Sequence, residues 1–405
     1  ARPALSATPG ISLDEARTIL DDYLQTSDGI YTESVQPDLV ILPVNADPEL
    51  EDEHGWSGPR GQGLAHVLAW RLQFQVPGEA PVWVAEINAH DGSVLSFYDG
   101  AQYDAVRGGV FPISMDGECS TGGCEFPDFP MPYADFTETS RPEAFADEFA
   151  NLVCVDSGES FETSLSGPYV NIVDGCGGIA VSGDCTGGAD LGMKQGENCD
   201  SGDGITSAAR TSYYHINRAA ELARFYDPGN TWLESPLTVA VNSSAGCCNE
   251  FWTGTQITMY HGGGGCSNTG EGRGVLIHEW GHGYDHNDGG GVDQPGEGYA
   301  DVVAIFGNRD SCMSRGWYND GRTCGGYGDT CLTCTGIREL DWAKRQNNTP
   351  ITAPGFVMNN CPGGGQGWSP CGQEPHCEGM LVGEILYDLA TRDLPAAGLD
   401  LSLIH

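Results

Sequence analysis

Along residues 68–76, LAWRLQFQV, apolar and polar side chains alternate, the period of a strand with one buried face. Residues 81–88, PVWVAEIN, alternate again. Ala89-His90-Asp91-Gly92 then reads as a turn and Ser93 to Tyr98 as a short return strand. Ahead of them, ISLDEARTILDDYL at 11–24 has a helical period. Ser12 and Glu15 stand in capping-box register, and Ile19, Leu20 and Leu24 share one face. A helix followed by a small antiparallel sheet predicts an α+β domain over residues 1–105.

The pattern then loosens. Residues 105–145 are rich in Gly, Pro and Asp and read as a linker leading into short strands. Residues 174–204 read as a long loop, with three cysteines and several Asp that suit disulfide stapling or calcium, although no EF-hand spacing is present. TSAARTSYYHINRAAELARFY at 206–226 is the clearest helix, stopped by Asp227-Pro228-Gly229. His215 within it reads as a packed residue. Buried strands are expected at 236–242 and 255–260. Further helices are expected around VLIHEWGHGYDH at 275–286, from Pro295 to Ala304, and from Glu374 to Leu389.

Composition narrows the function classes. The chain of 405 residues carries 57 Asp and Glu against 18 Lys and Arg, a net charge of -39. Such a surface repels nucleic acid and anionic membranes. Only Lys194 and Lys344 are lysines; this fits a salty or calcium-containing medium, or a GC-rich genome. No apolar run is long enough for a membrane span. The 16 cysteines all fall at or after Cys119, which predicts disulfides and an extracellular setting. Cys331 and Cys334 form a CxxC that could join a metal site, but the other cysteines nearby favour disulfides. The neighbours Cys247 and Cys248 are expected to bond to different partners. ARPALSATPG lacks the features of a signal peptide, so a leader would already be removed, and LDLSLIH breaks off just after a helical pattern, so further residues are expected beyond it.

The chemistry concentrates in His278-Glu279-x-x-His282. On a helix a spacing of four puts both imidazoles on one face about 6 Å apart. That suits two ligands of one tetrahedral zinc ion, with Glu279 offset toward a metal-bound water. A third ligand is needed. Asp288 is one candidate. Glu297 is the stronger, because it shares a helical face with Asp301, which can accept the N–H of a ligating imidazole.

HEWGH followed by GEGYAD resembles the HEYxH…GEGWSD pair of the fungalysins and, more broadly, the thermolysin-like gluzincins. The resemblance implies a two-lobed zincin domain, with a β-rich lobe and the HExxH helix over 106–290 and a helical lobe over 291–405. It implies a secreted zinc endopeptidase that hydrolyses protein and peptide substrates through a zinc-bound water. His278, His282 and Glu297 would bind zinc, Glu279 would be the catalytic base and Asp301 would hold a ligating His. The gap from His282 to Glu297 is shorter than in those families. NEFWTGTQ at 249–256 is similar to their NAFWxGxQ edge strand, which places Asn249 and Glu250 against the substrate backbone. His376 would stabilise the oxyanion, although anchoring on Gly383-Glu384 would put Met380 there. Tyr284 and Tyr299 are alternative phenolic donors. WRLQFQV…PVWVAEINAHDGSVLSFYDG resembles the PepSY-type part of the propeptides of these proteases. Residues 1–105 would then be an intramolecular partner of the catalytic part, released by a cut within 99–125. Two other readings stand beside this one. The first is a surface or structural protein on the same scaffold with an idle site. The second is an aminopeptidase, since GEGYA is similar to the NEGFA of that branch, though no GxMEN-like motif is present.

Overall fold

A computed structural model of the chain describes residues 8–24, 31–33, 37–45, 51–52, 55–56, 64–76, 82–99, 105–112, 125–138, 144–152, 160–193, 199, 202–244, 246, 248–290, 296–325, 330–346, 352–363 and 373–396. The chain divides into two compact units, Ala1–Tyr103 and Asp104–His405. Both mix helix and strand. Among the described residues no helix is long and apolar enough to cross a membrane.

In the first unit, helix α1 (Leu13–Leu24) starts at the predicted capping box. Ser12 Oγ accepts from Glu15 N at 3.2 Å, and Glu15 Oε2 accepts from Ser12 N at 2.6 Å. Strands β1 (Thr32–Glu33), β2 (Asp38–Asn45), β3 (Leu64–Gln75), β4 (Val82–Asn88) and β5 (Val94–Asp99) form one antiparallel sheet. Ala16 and Leu20 of the helix bury against Leu72, Phe74, Ala85 and Ile87 of the sheet, with Ile19 and Leu24 partly buried beside them. Gly92 closes the β4–β5 turn at φ +77, where a Cβ would also meet Ile19 Cδ1 at 2.7 Å.

The second unit is centred on helix α2 (Ser207–Tyr226), capped by Thr206, whose side chain accepts from Ala209 N. Its buried Ala208, Ala209, Tyr213 and Ile216 share one core with the surrounding strands. Strand β6 (Val106–Val110) lies between Phe126–Pro130, to which it is antiparallel, and the parallel Ala189–Asp190. Val106 and Val110 are fully buried, so this part of 105–145 is core strand and not linker. Its glycines make room for polar groups. A Cβ on Gly109 would meet Glu125 Oε1 at 2.2 Å, and Glu125 pairs with the buried Arg210 at 2.7 Å. The segment read as loop at 174–204 likewise contains strand Val181–Asp184, paired with Ser160–Thr163.

Strands β7 (Val170–Asp174), β8 (Leu237–Ser243), β9 (Glu250–Trp252) and β10 (Gln256–Tyr260) form a second sheet in the order β7-β8-β10-β9. The first three are parallel, and β9 is antiparallel to β10 at the sheet's end. Helices α3 (Arg273–Asn287), α4 (Gly296–Asn308) and α6 (Pro375–Asp388) then pack in succession, with α5 (Ala353–Asn360) beside α6.

Disulfides join Cys176–Cys199, Cys248–Cys266, Cys312–Cys334, Cys324–Cys331 and Cys361–Cys377, and Cys185 is also disulfide-bonded. The CxxC cysteines thus have different partners, and their thiols are not available as metal ligands. Cys119, Cys124, Cys154, Cys247 and Cys371 lie outside the described residues.

Candidate metal centre

Helix α3 enters the site as a core helix. Val275 and Leu276 are fully buried, and Ile277 packs against Ala304 and Met313. This anchors the next turn, which carries His278, Glu279 and His282. The two imidazoles are one turn apart, with Nε2 atoms 3.1 Å from each other. The first turn of α4 brings in Glu297. Its Oε2 lies 3.3 Å from His278 Nε2 and 3.6 Å from His282 Nε2. Burial alone would raise the Glu297 carboxyl, but the two imidazoles outweigh it and hold the group well below the usual carboxylate range.

Behind His278 stands a second layer of charge. Asp301 Oδ1 is 2.9 Å from His278 Nδ1 and is fully buried. Arg338 spans the same carboxylate through Nε at 2.7 Å and Nη2 at 2.5 Å. Burial opposes protonation of His278, yet Asp301 and Glu297 override it and push the imidazole up to about 10. Arg338 was not evident in the sequence. It lies 37 residues beyond Asp301, on a two-residue strand, Arg338–Glu339, that pairs with Cys312–Met313. The Cys312–Cys334 disulfide ties that ladder down. No linear motif marks such a residue.

His376 occupies the first turn of α6. Glu374 caps this helix by accepting from Cys377 N at 2.9 Å and also holds His376 Nδ1 at 2.5 Å. The opposite nitrogen, Nε2, is left 3.3 Å from Glu297 Oε2. Met380, one turn later, is buried with Ile305 and Leu340. Of the two alternatives, His376 is the one that reaches the cluster.

The other candidates are placed less closely. Asp288 follows α3, where its Oδ1 accepts from Gly290 N at 2.6 Å. Tyr284 stacks on Trp280, and its hydroxyl is 3.4 Å from Asp227. Tyr299 packs near Tyr284, with ring centroids 6.4 Å apart. Asn249 is exposed just ahead of β9, and Glu250 is the first residue of that edge strand. His215 is packed as expected, its Nε2 donating to Phe111 O at 2.8 Å.

The donor set fits a tetrahedral ion. Nitrogen and oxygen ligands at zinc distances stand about 3.3–3.6 Å apart, and the three edges here are 3.1, 3.3 and 3.6 Å. Glu297 Oε2 is also out of solvent and accepts no well-aligned hydrogen bond, as an atom aimed at a cation would be. Glu279 lies beside this set, its Oε1 3.9 Å from His278 Nε2. No family model and no curated protein matches the chain.

Proposed function

We propose that residues 104–405 form a zinc-dependent endopeptidase of gluzincin type, its two lobes meeting at α3. The observation that carries this reading is the convergence of His278, His282 and Glu297 at tetrahedral edge lengths, with an unligated carboxylate, Glu279, at their side. A zinc ion held by those three residues supplies Lewis acidity toward a peptide carbonyl and a water molecule. Glu279 takes the proton of the attacking water and passes it to the leaving amine. His376, its Nδ1 fixed by Glu374, directs Nε2–H at the oxyanion as charge develops there. Asp301 orients His278, and Arg338 keeps Asp301 ionised and in place. The open edge of β9 pairs with an extended peptide, and Asn249 anchors it.

The disulfides suit an oxidising, extracellular setting. Residues 1–105 act as a propeptide, released by a cut within 99–125. Deleting them is expected to lower the yield of active protein.

The decisive experiment is Glu279→Gln. This variant is expected to retain zinc, measured by metal analysis, and to lose at least about 100-fold in casein hydrolysis. Hydrolysis at the wild-type rate, or insensitivity of the wild type to chelators, would overturn the reading.

A further inference from the structure

Strand β9 carries a carboxylate where a peptide-binding edge has no structural need of one. Its register pairs Glu250 with Met259 and Trp252 with Ile257, and both partners are fully buried. Glu250 and Trp252 therefore point to the inner face of the sheet, while Phe251, between them, is exposed. The inner face meets α3. The Trp252 ring lies over Gly283, where a Cβ would come within 3.4 Å of it. Glu279 is one turn earlier on that side of the helix, and its charge acts on Glu250.

Glu250 thus sits among charges it cannot use. Its Oε2 is shielded from solvent and has no hydrogen-bond partner among the described residues. Of the two nearby cations, His278 already faces Asp301 and Glu297, and Arg338 is spanned by Asp301. A buried acceptor of this kind is costly unless something brings it a donor or a positive charge. The zinc ion proposed above is held by His278, His282 and Glu297, and the open sheet edge makes the incoming peptide the source of a further positive charge or donor for Glu250.

We propose that Glu250 receives a positively charged ammonium group of the peptide substrate, beside the bond being cut, and so selects peptides that carry one there. The proposal rests on the peptidase reading above and adds its substrate class. The ammonium can come from a lysine side chain within a longer peptide, or from a free amino terminus, in which case the cut is that of an aminopeptidase and not of an endopeptidase.

A four-peptide panel separates these sources and tests the proposal. One pair shares a sequence and differs in a free or acetylated amino terminus. The other is acetylated throughout and carries lysine or norleucine beside the cleaved bond. In one pair, wild type should favour the cationic member by at least about tenfold in kcat/KM, mainly through KM. Preference in the first pair assigns the amino terminus, and in the second the lysine. Glu250→Gln should collapse that ratio toward one, whereas Glu250→Asp, which keeps the charge, should retain its direction. Circular dichroism checks that both variants are folded. Equal rates within both pairs for wild type, or a ratio that Glu250→Gln leaves intact, would overturn the proposal. If wild type cuts none of the peptides, nor casein, the peptidase reading fails by itself. Calorimetric binding of the same panel then decides for or against Glu250, by whether the cationic members bind more tightly.

Discussion

His215 lies inside the core of the second unit, and its ring donates to Phe111 O across 104 residues of sequence. Burial, helped by the nearby positive charge of Arg273, lowers its pKa to about 3. The unfolded value is about 6.5, so between those limits the unfolded chain binds the extra proton. Stability from this group is complete above about pH 6.5 and is lost as pH falls toward 3, by on the order of 4 kcal/mol at the lower limit. His215→Gln keeps a donor for Phe111 O and removes the titration. Urea unfolding should therefore show the gap between wild type and variant changing with pH across this window; parallel curves would contradict it. Arg338 poses the opposite case. It is buried against an ionised Asp301, so Arg338→Met strands that carboxylate and is expected to cost about 3–5 kcal/mol. In a chemical-denaturation series, Arg338→Lys should recover part of that loss. The two residues differ in how well the sequence announces them. His215 sits on the buried stripe of a strongly periodic helix, which marks it as packed. Arg338 belongs to a two-residue strand held by a disulfide, and neither period nor spacing points to it.

The helices α2, α3, α4 and α6 follow the sequence pattern to within a few residues, although α3 does so without a side-chain cap and is buried on all sides from Gly274 to Gly281. Thr206 caps α2, and Glu374 with Pro375 opens α6. In the first unit α1 and strands β3, β4 and β5 were legible, since strand alternation survives wherever one sheet face is buried, but β2 (Asp38–Asn45), which pairs along β3, was not read from the sequence. Strand β6 was not. Its sequence VRGGV lacks alternation because Gly108 and Gly109 stand where the side chains of Arg210 and Glu125 fill the space. Glycine also governs how the site is assembled. Gly298 on α4 and Gly379 on α6 pack against each other, and a Cβ on Gly379 would meet Gly298 N at 2.6 Å. These neighbours carry Glu297 and His376, so the close approach of the two helices sets the 3.3 Å between those side chains. Gly379→Ala should wedge α4 from α6, destabilise by about 1–3 kcal/mol, and lower kcat/KM while His278 and His282 remain on α3. Equal activity and an unchanged melting temperature would show that the helices tolerate the added methyl group.

At the scale of the whole chain, oxidation and acidity are distributed differently. The excess of 57 acidic over 18 basic residues runs through both units, whereas every cysteine falls at or after Cys119. The first unit, Ala1–Tyr103, therefore relies on the apolar core between α1 and its sheet. The second adds covalent closures around loops of 7 to 23 residues. Each such closure removes freedom from the unfolded chain and is typically worth about 2–4 kcal/mol. Several of them brace the elements that carry the site. Cys312–Cys334 flanks Arg338, Cys361–Cys377 joins the end of α5 to the turn bearing His376, and Cys248–Cys266 lies next to Asn249. Reduction should accordingly act on one unit only. Hydrogen exchange read by mass spectrometry, with and without a thiol reductant, is expected to show faster exchange in peptides from 105–396 and unchanged protection in α1, β3 and β4. Equal loosening of both units would mean that the core of the first depends on the second for its stability.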